Sequence, residues 1–404
     1  MKGGKDVDAL CKHFGECGGC RRQDLPYAEQ LARKSDELGR LFGEIWPHPI
    51  PVEPSPCVWN YRNKVDLNFS LKRYPEPPPP GFVRESLLGF KKRGRWFDPL
   101  DVEECRIGPE GLDLLVGRVR EWMKSHELRA FDSRTQAGCL RELLVREGKR
   151  TGEKMVVLIT WDEEFDRASF VEAVRDAYPA TSIQWGLFKG LADVAAAERV
   201  EVLAGNPVIH ERLEIPTANG IRPLHFRISP FSFFQTNTLG TERLYSLIRE
   251  RVDSSGLRVM YDLYGGCGSV AMVCADLVET IHSVEYVESA TLDGQHNVTV
   301  NGIKNIQFQT ADVKNYLKAL IAEGSFERES VVVVDPPRSG MVPKAVRRLV
   351  ELRPRSLVYV SCSPKELARE LPAFLEAYGI SDLHAVDLFP HTDHVELLAT
   401  FESL

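Results

Sequence analysis

The sequence predicts an α/β chain with a doubly wound sheet in its carboxyl-terminal half, an α+β domain ahead of it and a small cysteine-bearing segment at the front. Three observations carry that reading. After about Asn206, apolar strand-like runs alternate with amphipathic helical ones, the pattern of a parallel, Rossmann-like sheet covered on both faces. Before it, "YRNKVDLNFSL" and "CLRELLVREG…KMVVLITW" alternate with period two around a helical stretch, "GLDLLVGRVREWMKSH", which suits antiparallel strands with a helix. At the front, "CKHFGECGGC" places Cys11, Cys17 and Cys20 at C-x5-C-x2-C spacing, and the proline-rich "WPHPIPVEPSP" reads as a linker after it. The expected division is therefore 1–56, 57–205 and 206–404.

The 404 residues suffice for two or three such domains. No apolar run approaches the ~18 residues of a membrane span, and "MKGGKDVDALCKHFGEC" lacks a hydrophobic signal core. A cytoplasmic protein with no membrane partner and no obligate protein partner is expected. Nine cysteines without an export signal argue for thiol or metal chemistry rather than disulfides. The net charge of −7 conceals a basic stretch. From Cys57 to Phe97 there are nine cations and three acids, an excess of six, with Trp59, Tyr61, Phe69, Tyr74, Phe82, Phe90, Trp96 and Phe97 interleaved. Cations for phosphates and rings for stacking suit RNA; a solvated sheet face with its aromatics in the core has the same composition. "YPEPPPPG" reads as a stiff exposed loop between two strands of that region.

The carboxyl-terminal elements follow in order. "TERLYSLIRERVD" is an amphipathic helix, and "RVMYDLYGGCGSVAMVCADL" a strand, a glycine turn and a helix. In the turn, Gly265, Gly266 and Gly268 let the backbone approach a ligand closely. Glu285 ends the next strand, "IHSVEYV", where it can accept from two ribose hydroxyls. Asp312 follows "IQFQT", within reach of an adenine amino group. With no G-x-G-x-x-G run and no phosphate-binding lysine motif, this favours S-adenosylmethionine (SAM) over NAD or ATP, although either acid could simply cap the helix after its strand. "VVVVDPPRSG" then ends a buried strand in Asp335, either a carboxylate beside the methyl donor or a proline stop. Arg338 stands where amine methylases carry an aromatic residue, which disfavours amine methylation. "VYVSCSPKEL" places Cys362 past the following strand, where the helix starting near Pro364 favours its thiolate; a small buried hydrophobe is the alternative. "FPHTDHVELLATFE" offers His391, His394 and Glu396 on the last strand, any of which can be structural.

One thiolate, one carboxylate base and bound SAM form a minimal set for methylating carbon 5 of uracil, a poor nucleophile until a thiolate adds at carbon 6. In this chain the set would be Cys362, Glu396 and the glycine loop, with Asp335 and Gln235 as hydrogen-bond partners for the base edge.

"CKHFGECGGC", "YRNKVDLNFS", "CLRELLVREGKRTGE", "SPFSFFQTN", "DLYGGCG", "DPPRSG", "SCSP" and "FPHTDHVE" occur in the order found in the RNA uracil-5 methyltransferase family, which the chain resembles over nearly its whole length. The resemblance implies a [4Fe–4S] cluster on Cys11, Cys17, Cys20 and, from "EECRIGPE", Cys105. It makes Cys362 the nucleophile and Glu396 the base, with Gln235, Tyr264, Gly265, Glu285, Asp312 and Asp335 around SAM and the target base. Cys57, Cys139, Cys267 and Cys274 match no ligand position and are expected to be packing residues. The implied domains are a cluster segment over 1–56, an RNA-binding domain over 57–205 and a SAM-dependent methyltransferase domain over 206–404. There are three departures: Gly265 in place of the family's cysteine, Ser363 in place of asparagine, and no small amino-terminal RNA-binding barrel. The implied partner is RNA, 23S ribosomal RNA ahead of the T-loop of transfer RNA. The alternatives are cytosine-5 methylation and a non-catalytic iron–sulfur RNA-binding or redox protein.

Overall fold

The computed structural model describes residues 10–76, 78–79, 81–192 and 195–404. The elements run α1 (Tyr27–Phe42), β1 (Val52–Glu53), β2 (Lys64–Leu71), β3 (Ser86–Lys92), β4 (Arg95–Asp101), α2 (Leu112–Ser125), β5 (Leu140–Glu147), β6 (Lys154–Thr160), α3 (Arg167–Ala177), β7 (Ser182–Leu187) and β8 (Arg199–Gly205). They continue with β9 (Ile209–Thr217), β10 (Gly220–Ile228), α4 (Thr238–Ser255), β11 (Val259–Leu263), α5 (Ser269–Cys274), β12 (Thr280–Glu285), α6 (Glu288–Val300), β13 (Ile306–Thr310), α7 (Val313–Glu323) and β14 (Ser330–Val334). The last are α8 (Pro343–Leu352), β15 (Ser356–Ser361), α9 (Pro364–Leu375), β16 (Tyr378–Val386) and β17 (Glu396–Ser403). Among the described residues no helix is long and apolar enough to cross a membrane.

The chain divides into two compact units. Of the described residues, the first holds those of 10–26, 58–211 and 228–231, the second those of 27–57, 212–227 and 232–404. In the first, strands pair in the order β4-β3-β2-β5-β6-β7-β8. Period-two alternation turns Val65, Leu67 and Phe69 of β2 toward Leu115, Val119 and Trp122 of α2 and Phe170 and Val174 of α3, which together form one buried core. Helix α3 starts at Asp166, whose side chain accepts from the amides of Ala168 and Ser169.

The amino-terminal segment is sewn to the β3–β4 hairpin by backbone. Cys17 bridges Lys92, Gly18 N–H donates to Lys91 O at 3.0 Å, and Arg93 N–H donates to Glu16 O at 2.7 Å. A small apolar cluster of Cys20, Tyr61 and Ile107 lies beneath, with Phe14 and Trp59 against it.

In the second unit, strands pair in the order β1-β16-β17-β15-β14-β11-β12-β13. The pairs β11–β12, β11–β14, β12–β13 and β14–β15 are parallel, as the alternation of strands and helices predicts. The expectation of an all-parallel sheet is corrected at one place: β17 runs antiparallel to both β15 and β16, so the sheet is mixed. The segment expected as one piece over 1–56 is also divided. Leu38 and Phe42 of α1 and Ile50 are fully buried in the core of the second unit, and β1 pairs in parallel with β16. The supposed linker is thus partly a sheet edge, because its apolar residues complete a core that lies far downstream in sequence.

Candidate active site

The carboxyl ends of the parallel strands gather the candidate residues of the second unit. β11 ends at Leu263, opposite Val284 of β12 and Val334 of β14, so Tyr264, Glu285 and Asp335 emerge side by side. Asp335 N–H donates to Leu263 O at 3.2 Å, and Gly265 N–H to Val284 O at 3.0 Å. Tyr264 takes a φ of 63°, a left-handed conformation that costs energy in a residue with a side chain. Gly266 and Gly268 turn the loop with φ of 56° and 72°, and a Cβ on Gly268 would lie 2.7 Å from the Phe308 ring.

The antiparallel strand β17 completes the arrangement. Its ladder with β15 pairs Ser361 with Leu397, and the next position in the same register sets Cys362 against Glu396. Had β17 been parallel to β15, its first residue would lie at the opposite end of the strands. Antiparallel insertion therefore brings the start of β17 to the end where β14 and β15 finish.

Helix α1 braces the loop leading to Glu396. Lys34 Nζ donates to Asp387 Oδ1 at 2.7 Å with both groups buried, while Gln30 accepts from His391 N–H at 2.8 Å. Glu370 braces the "DPPRSG" loop: one carboxylate oxygen accepts from Met341 N–H at 2.7 Å, the other from Tyr359 Oη–H at 2.9 Å.

Burial governs the electrostatics. Asp335 keeps part of its surface open, but its carboxyl is sunk in the site, and burial, aided by Asp262, pushes its pKa up to about 7. Burial, reinforced by Asp335 and opposed by Arg338, holds the Glu396 carboxyl well above the usual carboxylate range. Burial also raises the Cys362 thiol to about 11, Glu396 and Asp335 adding to the rise and Arg338 opposing it. The start of α9 adjoins this thiol, but burial, followed by the two acids, is what raises it.

The other candidates divide. Glu285 accepts from Gly266 N–H at 3.0 Å and Val287 N–H at 2.8 Å, so it shapes the glycine loop as well as facing it. Asp312 caps α7, accepting from Asn315 N–H at 3.0 Å, the structural role left open in the sequence. Gln235 is half-buried, two residues ahead of Asn237, the cap of α4. Ser363 makes no side-chain cap bond to α9; its N–H donates to Ser361 Oγ at 3.3 Å.

Two residues were not assigned to the site from the sequence, although Arg338 was read there as disfavouring amine methylation. Arg338 is the cation that faces both Cys362 and Glu396, and its place after the two prolines was the available signal. Asp262 is buried, accepts from Ser283 Oγ–H at 3.0 Å and has its pKa raised by burial to about 7. Together these groups put a hydrogen-bonding glycine loop, a thiol and two carboxyls at the same end of the parallel strands. Residues fit for SAM are present: the tight turn of Gly265–Gly268, and carboxylates at the ends of adjacent parallel strands.

In the first unit, Cys11, Cys17, Cys20 and Cys105 line one cavity of about 610 Å³. Burial raises all four thiols, Cys20 to about 11 and Cys105 to about 12; Glu104 adds to the rise of Cys11, and neighbouring thiols add to that of Cys17, Cys20 and Cys105. Among the described residues no group of three or more His, Cys, Asp or Glu side chains is placed to hold a metal ion, so the cluster expected on these cysteines has no support in their arrangement. Of the remaining cysteines, Cys139, Cys267 and Cys274 are buried as expected, whereas Cys57 is exposed, which corrects its assignment as a packing residue.

Comparison with known proteins agrees with this geometry. The model of the family described as tRNA (uracil-5-)-methyltransferase matches residues 187–401. The chain is 33% identical to a protein named as an uncharacterized RNA methyltransferase from Caldanaerobacter subterraneus, over 98% of this chain and 85% of that one. It is equally similar, at 33%, to one so named from Protochlamydia amoebophila, over 98% of this chain and 91% of the relative. Among solved structures it resembles the Pyrococcus abyssi tRNA (uracil-54, C5)-methyltransferase in complex with S-adenosyl-L-homocysteine, with a TM-score of 0.73 and 28% identity over 95% of this chain and 85% of that one. With a thiol and a carboxyl facing each other at the end of β15 and β17, a glycine loop at the end of β11 and these likenesses, the chain belongs to the uracil-5 RNA methyltransferase family and is a SAM-dependent enzyme.

Proposed function

We propose that the enzyme methylates carbon 5 of one uridine in RNA through a transient bond between Cys362 and carbon 6 of the base. The observation that carries this reading is the register of β15 and β17, which continues to set Cys362 against Glu396. Cys362 loses its proton to solvent, and Sγ adds to carbon 6. The electrons of the C5=C6 bond then shift to carbon 5 and on to the O4 oxygen. SAM, when bound, supplies the electrophilic methyl group that carbon 5 requires. Glu396, as carboxylate, removes the carbon-5 proton; the C–H electrons restore C5=C6, and Cys362 leaves as thiolate. Raised by burial, Glu396 is a stronger base than an ordinary carboxylate once ionised. Asp335 can donate to or accept from the base edge near neutral pH, and Gln235 is the second candidate partner for it. Tyr264, Gly265, Glu285 and Asp312 bound the SAM site.

The substrate we favour is 23S ribosomal RNA, on the resemblance of "CKHFGECGGC" to cluster-bearing bacterial members. A transfer-RNA uridine is the second reading, favoured by the Pyrococcus abyssi relative, which is named for position 54 of tRNA. Labelled methyl from SAM, offered with unmodified total RNA, is expected in 5-methyluridine of the large ribosomal RNA. Label in the transfer-RNA band keeps the chemistry and transfers the substrate; label in 5-methylcytidine, or none at all, removes both.

Cys11, Cys17, Cys20 and Cys105 are proposed to hold a [4Fe–4S] cluster. Its contribution would be to anchor the amino-terminal segment beside β3 and β4. Protein purified without oxygen should carry roughly four irons and four sulfides per chain. Cys105→Ala should lose the visible absorbance; an unchanged spectrum would place the fourth ligand elsewhere.

A further inference from the structure

The first unit carries a second cavity, a cleft of about 530 Å³ bounded by β2, β3, β4 and residues 131–134. Its walls hold Arg73, Arg84, Lys91, Arg134 and Arg141 against one acid, Asp132, a local excess of four in a chain of net charge −7. On the edge strand β4, Trp96 is 82% exposed and Phe97 45%. The two rings meet edge to face at 5.9 Å, and the Arg73 guanidinium lies 5.1 Å from the Phe97 ring. Adjacent exposed rings of this size on a sheet edge invite aggregation unless a ligand covers them.

Deeper in the cleft, Arg141 is fixed rather than mobile. It donates to Gly190 O at 2.7 Å and Ala192 O at 2.6 Å, and lies 4.7 Å from the Phe131 ring and 4.8 Å from that of Phe188. Its positive charge is therefore a standing feature of the cleft floor. Phe131 is itself stacked on Trp161 at 4.3 Å.

A solvated cationic face does not explain Trp96 and Phe97, and the core of a protein-docking patch is depleted of charge. Cations that reach phosphates, interleaved with rings that offer their faces, suit a nucleic acid whose bases are unstacked. A duplex hides those base faces.

We propose that this cleft is a second nucleotide site, distinct from the methylation cleft, in which an unpaired stretch of the substrate RNA lays a base on Trp96 and Phe97 and its phosphates against Arg73, Arg84 and Arg134. The proposal rests on the RNA-methylating reading and extends it from the reacting base to the grip on the rest of the strand. Trp96 and Lys91 also line the cysteine cavity, so a strand bound here lies against the wall of that cavity.

The test uses the full chain, a short labelled oligouridylate and an RNA duplex of equal length. Trp96→Ala with Phe97→Ala should weaken single-strand binding on the order of tenfold or more, stacking being the term removed, and leave duplex binding within about twofold. Arg73→Gln with Arg134→Gln should reduce the salt dependence of single-strand binding by roughly 0.7 for each phosphate that no longer meets a cation. SAM affinity, read in the same variants, is the control for folding, because the SAM residues belong to the other unit. Unchanged oligouridylate affinity in the ring variant overturns the proposal, as does an equal loss for duplex or competition by polyglutamate as strong as by RNA. Methyl transfer to RNA is measured in parallel with the parent protein. If that fails while the ring variant loses single-strand binding, the methylation reading falls and the cleft stands. If it succeeds while ring and arginine variants bind as the parent does, the cleft alone falls.

Discussion

Cys362→Ala is expected to abolish methyl transfer, to below roughly 10⁻⁴ of the parent rate, while SAM binds as before. The thiol is half-buried, one residue past β15, and bears no packing role that alanine would leave as a large cavity. Loss of turnover with intact SAM affinity, read by calorimetry beside a labelled-methyl assay, therefore isolates the nucleophile. Full activity in the variant would dismiss the covalent route. The same thiol fixes a pH dependence. With its pKa raised to about 11, the thiolate fraction in the free enzyme grows about tenfold per unit as pH rises from 6 to 9. Alkylation of Cys362, followed by mass spectrometry, should accelerate accordingly without a plateau near neutrality. A plateau at or below pH 8 would mean that the helix end, not burial, sets the thiol.

Glu396→Gln is the second large effect. Without a base to take the carbon-5 proton, methylated RNA cannot be expelled, and a protein–RNA adduct that survives denaturing electrophoresis should accumulate while turnover falls by at least about 10³-fold. The variant should melt at or above the parent temperature. Glu396 is buried and its charged form is disfavoured there, so a neutral isostere relieves a cost rather than creating one. Lost turnover in a protein that melts lower and forms no adduct would point to a structural carboxyl.

Particular residues show what was legible from sequence and why. The parallel core was, because fully apolar runs such as "VVVV" bounded by glycine or proline turns repeat at helix-spaced intervals. The positions of Glu285, Asp335 and Cys362 followed, since each closes such a run. The direction of β17 was not legible, for a strand has the same period two whichever way it runs, and yet direction decides at which end of the strands Glu396 lies. Nor was β1: two residues in a proline-rich stretch carry no periodicity, and their partners on β16 lie far along the chain. The raised thiol of Cys362 comes from burial and then from Glu396 of β17 and Asp335 just past β14, surroundings that no local pattern places beside it.

The pairing of β1 with β16 has an entropic consequence. Val52 faces Ala385, so closing that contact joins ends 333 residues apart (385 − 52). In an unfolded chain such closure costs on the order of 5 kcal/mol, more than a two-residue ladder returns. Burial of Leu38, Phe42 and Ile50 supplies roughly 1.5–3 kcal/mol each and can offset it. The closure is also cheaper if residues 58–211, 154 of them (211 − 58 + 1), have already folded, because a folded insertion no longer adds flexible chain to the loop. The route of least entropy thus folds the inserted unit first, and the sheet that carries Cys362 and Glu396 acquires its outer edge last.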